Sequence, residues 1–364
     1  MKILHIINSL ATGGAEKLIV ETLPLYHDKG IEADVLLLNG TEYPLYKELQ
    51  EKNCCRIYSL GKTSVYNPKL IGKIIPYLKK YDLIHVHLFP AQYFAIAAKR
   101  LSFSKKPFVF TEHNTSNRRI ENKWFAFPEK IIYARYKKVI CITAEVKRVL
   151  QKHVQLHDQQ LEIIENGINL HTLHTAQTIP KSSINPHLFD HDFVLLQVAG
   201  FRPQKDQSTL IRALQHLPEH VKLVLAGDGI LRKDCEKLVQ DLNLEERVFF
   251  LGLRDDIPSL LKSCDVIVLS SKYEGLSLSS IEGMASGKPF LASDVPGLSE
   301  VVDGAGILFP QGDDRKLAEE ISKLINNKEW SEEVAKKCMT RAENYDIHRM
   351  VKNHIQLYQS ILSK

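Results

Sequence analysis

The chain has 364 residues, 44% hydrophobic and 25% charged, an ordinary globular composition but longer than one hydrophobic core usually spans, so two domains are expected. The net charge of +5 falls short of a dedicated nucleic-acid binder and suits acidic substrates or an anionic membrane surface. The six cysteines include no CxxC pair and read as reduced residues of a cytosolic protein.

The opening stretch MKILHIINSL has too short an apolar run for a signal peptide and reads as a first β-strand. No segment approaches the roughly 18 apolar residues of a membrane span, so neither secretion by that route nor a span is expected. A helix-period segment GAEKLIVETLPLYHDKG follows, then ADVLLLN and later DLIHVHL, PFVFTEH, KKVICIT and LEIIENG as strands. Such alternation marks βαβ units and a parallel sheet buried on both faces. In DLIHVHL, His85 and His87 are expected to alternate onto opposite faces, so no metal pair is read there. Between TEHN and KKVICIT, the basic stretch TSNRRIENKWFAFPEKIIYARYKK interleaves Trp124, Phe125 and Phe127 with cations, among them Arg118, Arg119 and Lys123. It suits an interfacial helix on anionic lipid, and equally a solvated basic helix whose aromatics pack inward. Single-stranded nucleic acid is disfavoured, because the chain offers no second stacking platform.

Periodicity disappears over residues 176–192, where Pro, Ser, Asn and His accumulate, as in a linker. Alternation then restarts with FVLLQVAG, DQSTLIRALQHL, KLVLAGDG, LRKDCEKLVQDLNL, RVFFLG, IPSLLKSC, DVIVLS, LSSIEGMASG and PFLAS. This is a second parallel sheet. The last stretch spaces Ile347, Met350, Val351, Ile355, Tyr358 and Ile361 or Leu362 three or four apart, an amphipathic helix expected to pack back across the first domain. The expected domains are therefore 1–180 and 190–345, with the terminal helix at 346–364.

Two glutamates, Glu274 and Glu282, bracket the start of the helix LSSIEGMASG, with Ser277 placed to cap it and Gly287 to end it. The carboxyl edge of an open parallel sheet is where ligands bind. There the N–H groups of Gly275, Leu276, Ser277 and Leu278 suit an anion such as a diphosphate. Carboxylates flanking that anion suit sugar hydroxyls. The plainer reading is a dipole-stabilising glutamate and an ordinary helix-face carboxylate. GFRPQKD supplies Arg202 and Lys205 after another strand, a cationic pair for a diphosphate or else a solvated loop. AGDGIL, with Gly227 and Gly229, offers a turn that a flat base could approach, and Asp255 and Asp256 read as helix-capping residues.

In order and spacing, SLATGGAEK, FTEHN, ENGI, GFRPQKD, AGDG, YEGLSLSSIEGMASGKP and GLSEVVDGAGILF resemble the retaining glycosyltransferases of family 4, over nearly the whole chain. The resemblance implies the α/β GT-B fold: two Rossmann-like domains with parallel sheets facing across a cleft, the first binding acceptor and the second nucleotide-sugar, and a C-terminal helix crossing back. It places Glu274 near the donor sugar, Glu282 on the ribose, and Arg202 and Lys205 on the diphosphate leaving group. Gly13 and Gly14 match the glycine loop that closes over the reaction centre, and are otherwise a tight turn. His113 matches a histidine that contacts the donor sugar or transferred group, and is otherwise a strand-end residue satisfied by local backbone.

The implied reaction is transfer of a hexose or N-acetylhexosamine from a nucleotide-diphosphate sugar, with UDP adopted as the carrier, to a hydroxyl of a glycan or polyprenyl-diphosphate-linked sugar. Retention by double displacement would need a carboxylate nucleophile; the resemblance implies a front-face route instead. No cofactor and no metal is implied, because Arg, Lys and the helix terminus neutralise the phosphates, and no nucleic acid is expected. The implied location is cytoplasmic, peripheral on the inner face of the plasma membrane. Alternatives are a nucleotide-sugar epimerase or hydrolase of the same architecture, or a non-catalytic nucleotide-sugar-binding protein. A dinucleotide-dependent oxidoreductase is disfavoured, since NSLATGGAEK lacks GxGxxG spacing and no acidic residue ends ADVLLLN.

Overall fold

The computed structural model describes residues 1–113 and 126–363. It divides into two units, one formed by Met1–Gly167 with Ile347–Lys364 and the other by Ile168–Asp346.

The first unit is built on seven strands: β1 (Lys2–Ile7), β2 (Glu32–Leu37), β3 (Ile57–Ser59), β4 (Leu83–His87), β5 (Phe108–Glu112), β6 (Lys138–Cys141) and β7 (Leu161–Ile163). They pair in parallel in the order β3-β2-β1-β4-β5-β6-β7. Parallel neighbours need crossover connections, and the helix Gly14–Asp28 makes the first, burying Leu18, Ile19, Leu23 and Tyr26. Strands β4 and β5 are buried at every position, which is why they read in sequence as near-continuous apolar runs. The order reverses between β1 and β4, so successive crossovers leave toward opposite edges there and open a crevice at the strand ends.

The second unit repeats the plan with β8 (Phe193–Val198), β9 (Val221–Ala226), β10 (Val248–Gly252), β11 (Val266–Leu269), β12 (Phe290–Asp294) and β13 (Ile307–Pro310). Its order is β10-β9-β8-β11-β12-β13, with the reversal between β8 and β11. Leu195, Leu223, Leu225, Val266, Val268 and Leu291 from the sheet close a core with Leu210, Leu214, Leu317 and Ile321 from the helices.

The chain passes from one unit to the other at Gly167–Ile168, ahead of the aperiodic stretch 176–192. That stretch is tied to the second unit: Ile179 N donates to Ser263 Oγ at 2.8 Å, and Lys181 Nζ reaches Asp192 O at 2.6 Å and Asp265 Oδ2 at 2.9 Å. Its proline and polar content describes a bound connection rather than a loose one. The terminal helix Ile347–Leu362 belongs to the first unit and buries Ile347, Met350, Val351, His354, Leu357, Tyr358 and Ile361. Ile355 is only partly covered and His354 takes its place in the buried stripe, which a count of apolar residues alone misses. Among the described residues no helix is long and apolar enough to cross a membrane.

Candidate functional site

At the second unit's switch point the loops after β8 and β11 are sewn together. Asp206 N donates to Ser270 O at 3.1 Å, Lys272 N to Gln204 O at 2.8 Å, and the Ser270 hydroxyl to Asp206 O at 2.7 Å. An antiparallel bridge pairs Lys205 with Ser271. The join brings Lys205 Nζ onto Glu274 Oε1, which also accepts from Ser271 Oγ at 2.7 Å. Both side chains are only 11% exposed. A cation from one strand end and a carboxylate from the other are thereby fixed in place beside the helix Leu278–Ala285. Arg202 stands exposed in the same β8 loop.

Two backbone contacts hold these loops close. Gly227 (φ +139°) and Gly229 (φ +156°) press the loop after β9 onto the loop after β8; a Cβ on them would fall 2.2 Å from Ala199 O and 2.4 Å from Phe201 O. Gly297 (φ +85°) does the same to the loop that carries Glu274, with a hypothetical Cβ 2.2 Å from Gly275 O and 2.4 Å from Glu274 O. Only glycine combines such φ values with such approach. Gly297 went unnoticed in the sequence because its role lies in a contact with a loop some twenty residues earlier.

Two capping expectations fail. Ser277 occupies the N-cap of Leu278–Ala285, but its side chain makes no cap bond among the described residues and lies 3.0 Å from Ser279 Oγ instead. Asp256 occupies the N-cap of Ile257–Ser263, yet its carboxylate accepts two hydrogen bonds from Arg254, at 2.7 and 2.6 Å. Those bonds lower its pKa. A charged neighbour competes successfully for an acceptor that would otherwise serve the backbone. Gly287 does follow the end of Leu278–Ala285, at φ +79°. Glu282 lies half-buried on that helix.

Gly13, Gly14 and His113 belong to the first unit. Gly13 is the extended N-cap of Gly14–Asp28, with the Glu16 carboxylate lying where its Cβ would be. His113 follows β5; its Nε2 is buried without a hydrogen-bond partner among the described residues, and burial lowers its pKa to about 4. The expectation for His85 and His87 is overturned. Residues two apart on a strand share a face, and their rings lie 4.1 Å apart. His5, in register with His85 on the neighbouring strand, joins them at ring distances of 5.1 and 5.4 Å. The histidines of KILHII, LIHVH and TEH thus converge; the period of two gives only the shared face of His85 and His87, and the strand order brings His5 and His113 to them.

Of the basic aromatic stretch, Arg118, Arg119, Lys123, Trp124 and Phe125 lie outside the described residues. Phe127 is exposed on the helix Ala126–Tyr133, whereas Tyr133 is buried.

The sequence matches two family models, Glycosyltransferase Family 4 over residues 12–172 and Glycosyl transferases group 1 over residues 180–344. The chain belongs to the group 1 glycosyltransferases. This glycosyltransferase is 27% identical over 360 residues to the Campylobacter jejuni N-acetylgalactosamine-N,N'-diacetylbacillosaminyl-diphospho-undecaprenol 4-alpha-N-acetylgalactosaminyltransferase, covering 93% of this chain and 94% of that one. It is 26% identical over 325 residues to the Escherichia coli UDP-Gal:alpha-D-GlcNAc-diphosphoundecaprenol alpha-1,3-galactosyltransferase, covering 82% and 80%. The crystal structure of Anabaena HepE in complex with UDP-glucose superposes with a TM-score of 0.87 at 23% identity, covering 99% of this chain and 100% of that one. Two Rossmann-like units with these strand orders, and such neighbours, make the fold GT-B.

Proposed function

We propose that this glycosyltransferase moves a hexosyl or N-acetylhexosaminyl group from a UDP-sugar to a hydroxyl of a glycan or lipid-linked sugar, with retention. The observation that carries the reading is the Lys205–Glu274–Ser271 assembly at the β8/β11 switch point, next to a helix N-terminus. Relatives named for UDP-galactose and for undecaprenyl-diphosphate acceptors support the donor and the acceptor class.

In this reading Arg202, Lys205 and the N–H groups of Gly275, Leu276, Ser277 and Leu278 neutralise the diphosphate. Gly227 and Gly229 line the base, Glu282 accepts from the ribose, and Glu274 accepts from the donor sugar. The bond from the sugar's anomeric carbon to the diphosphate oxygen breaks. The acceptor oxygen bonds on the same face, and its proton goes to the departing diphosphate. Catalysis is then positioning plus charge stabilisation, with no carboxylate nucleophile and no metal at the phosphates. Glu274 already accepts from an ammonium and a hydroxyl, which suits a hydrogen-bonding role better than attack. Peripheral contact with an anionic membrane, with the exposed Phe127 in it, would bring the enzyme to lipid-linked acceptors.

The test is the thermal midpoint against UDP, GDP, ADP and NAD, followed by product analysis with sugars on the base that binds. UDP should stabilise the protein, Lys205→Ala and Glu282→Ala should abolish the shift, and the product should be the α-anomer without added Mg²⁺ or Mn²⁺. Stabilisation by NAD alone, or an inverted product, would overturn the proposal. Sugar rearrangement without any acceptor would point to an epimerase.

A further inference from the structure

His5, His85 and His87 have no part in the chemistry above, yet they form a buried cluster on one face of the first unit's sheet. We propose that His5, His85 and His87 bind a single divalent transition ion of the zinc class inside the first unit.

The sheet places them. Strands β1 and β4 are parallel neighbours, His5 is the register partner of His85, and His87 is two residues further along the same face. One nitrogen from each of the three lies within 4.8 Å of the others, and all three side chains are buried. His5 Nδ1 and His87 Nε2 share a hydrogen bond at 3.1 Å. Two imidazole nitrogens bound tetrahedrally to one zinc at about 2.0–2.1 Å would be roughly 3.3 Å apart. Small adjustments of the side chains would therefore complete the site.

The surroundings favour a cation over an inert core. A cavity of about 20 Å³ touches His5, His85, His87, His113 and His354, room for one water molecule or one ion. His5 Nε2, His87 Nδ1 and His113 Nε2 are buried without hydrogen-bond partners among the described residues. The ligating nitrogens now make hydrogen bonds, His5 Nδ1 with His87 Nε2 and His85 Nε2 with Thr111 Oγ1, which bonds to the ion would replace. His85 is oriented by Tyr358 Oη on Nδ1 and Thr111 Oγ1 on Nε2, both at 2.7 Å; on ligation Nε2 exchanges Thr111 for the metal while Tyr358 keeps the ring aligned. Among the described residues no carboxylate lines the cavity, and an all-imidazole set selects Zn²⁺, Cu²⁺, Ni²⁺ or Co²⁺ over Mg²⁺ and Ca²⁺. The ion would cross-link the two central strands and, through Tyr358, brace the terminal helix.

Full-length protein stripped with chelator should bind one equivalent of Co²⁺ with a visible d–d absorption band. Zn²⁺ should displace the band and raise the thermal midpoint, whereas Mg²⁺ should do neither. The His5→Gln/His87→Gln variant should lose the band; His171→Gln/His174→Gln, which removes an exposed pair on the helix Leu170–Thr175, should retain it. The reverse pattern, or no band and no midpoint shift, overturns the site and leaves the cavity to water. Should the core variant not fold, imidazole nitrogen chemical shifts of the wild-type protein decide: one equivalent of Zn²⁺ must move those of His5, His85 and His87, and unmoved resonances reject the proposal.

Discussion

Lys205 and Glu274 constrain each other, because each is nearly buried and each is the other's charge partner. Lys205→Ala should destabilise the protein by about 3 kcal/mol, since a carboxylate is left in a partly desolvated site. The Lys205→Ala/Glu274→Ala double variant should recover part of that loss, and a double-mutant cycle from denaturant titrations checks both. Gly297→Ala should cost at least about 1–2 kcal/mol for a left-handed backbone at φ +85°. Because the added Cβ meets Glu274 O and Gly275 O, it should also weaken UDP binding in a calorimetric titration. At this scale the sequence singled out Glu274 and Lys205, through the glutamate spacing and the GFRPQKD motif, and the structure brings the two together. The sequence did not show that Glu274 is held by Lys205 and Ser271, because those contacts depend on two loops meeting.

Among elements, the terminal helix is fastened by polar contacts as well as apolar ones. Tyr358 Oη is 2.7 Å from His85 Nδ1, and His354 Nδ1 is 2.8 Å from Tyr26 Oη. Tyr358→Phe leaves His85 Nδ1 without that partner and should cost about 1–3 kcal/mol by chemical denaturation. Acid acts on the same elements. Burial lowers the pKa of His5 to about 3, of His354 to about 3 and of His113 to about 4. Below the ordinary value of 6.5 the unfolded chain takes up protons that the folded unit refuses until those lower values are reached. Stability should therefore be flat above about pH 7 and fall as pH drops from 6.5 toward 4, approaching about 1.4 kcal/mol per pH unit for each such histidine. His5 faces Tyr26, His85 and His87, and His354 faces His85, Tyr26 and Tyr358; no carboxylate appears among these contacts to offset the charge. Thermal midpoints between pH 7 and 5 test the slope, which His354→Gln should reduce.

At the scale of the whole chain, two units with separate cores are not expected to unfold in one two-state step. Hydrogen exchange read peptide by peptide should separate them. UDP should protect β8, β11 and the helix Leu278–Ala285, because a ligand stabilises only the state that binds it. Lowering the pH from 7 to 5 should expose β1, β4 and Ile347–Leu362 first. Equal responses of both units to both perturbations would contradict this separation.

The sequence by itself determined the α/β class, the two parallel sheets and the family, and it singled out the residues proposed for the second unit's site. Each rests on local periodicity or on a contiguous motif, which the chain carries wherever it folds. Tertiary structure alone decided where one unit hands over to the other, that Arg254 rather than the backbone takes the Asp256 carboxylate, and that Gly297 supports Glu274. It also gathered the buried histidines from β1, β4, the end of β5 and the terminal helix. These are contacts between segments far apart in the chain, and packing selects them only after the strands have found their order.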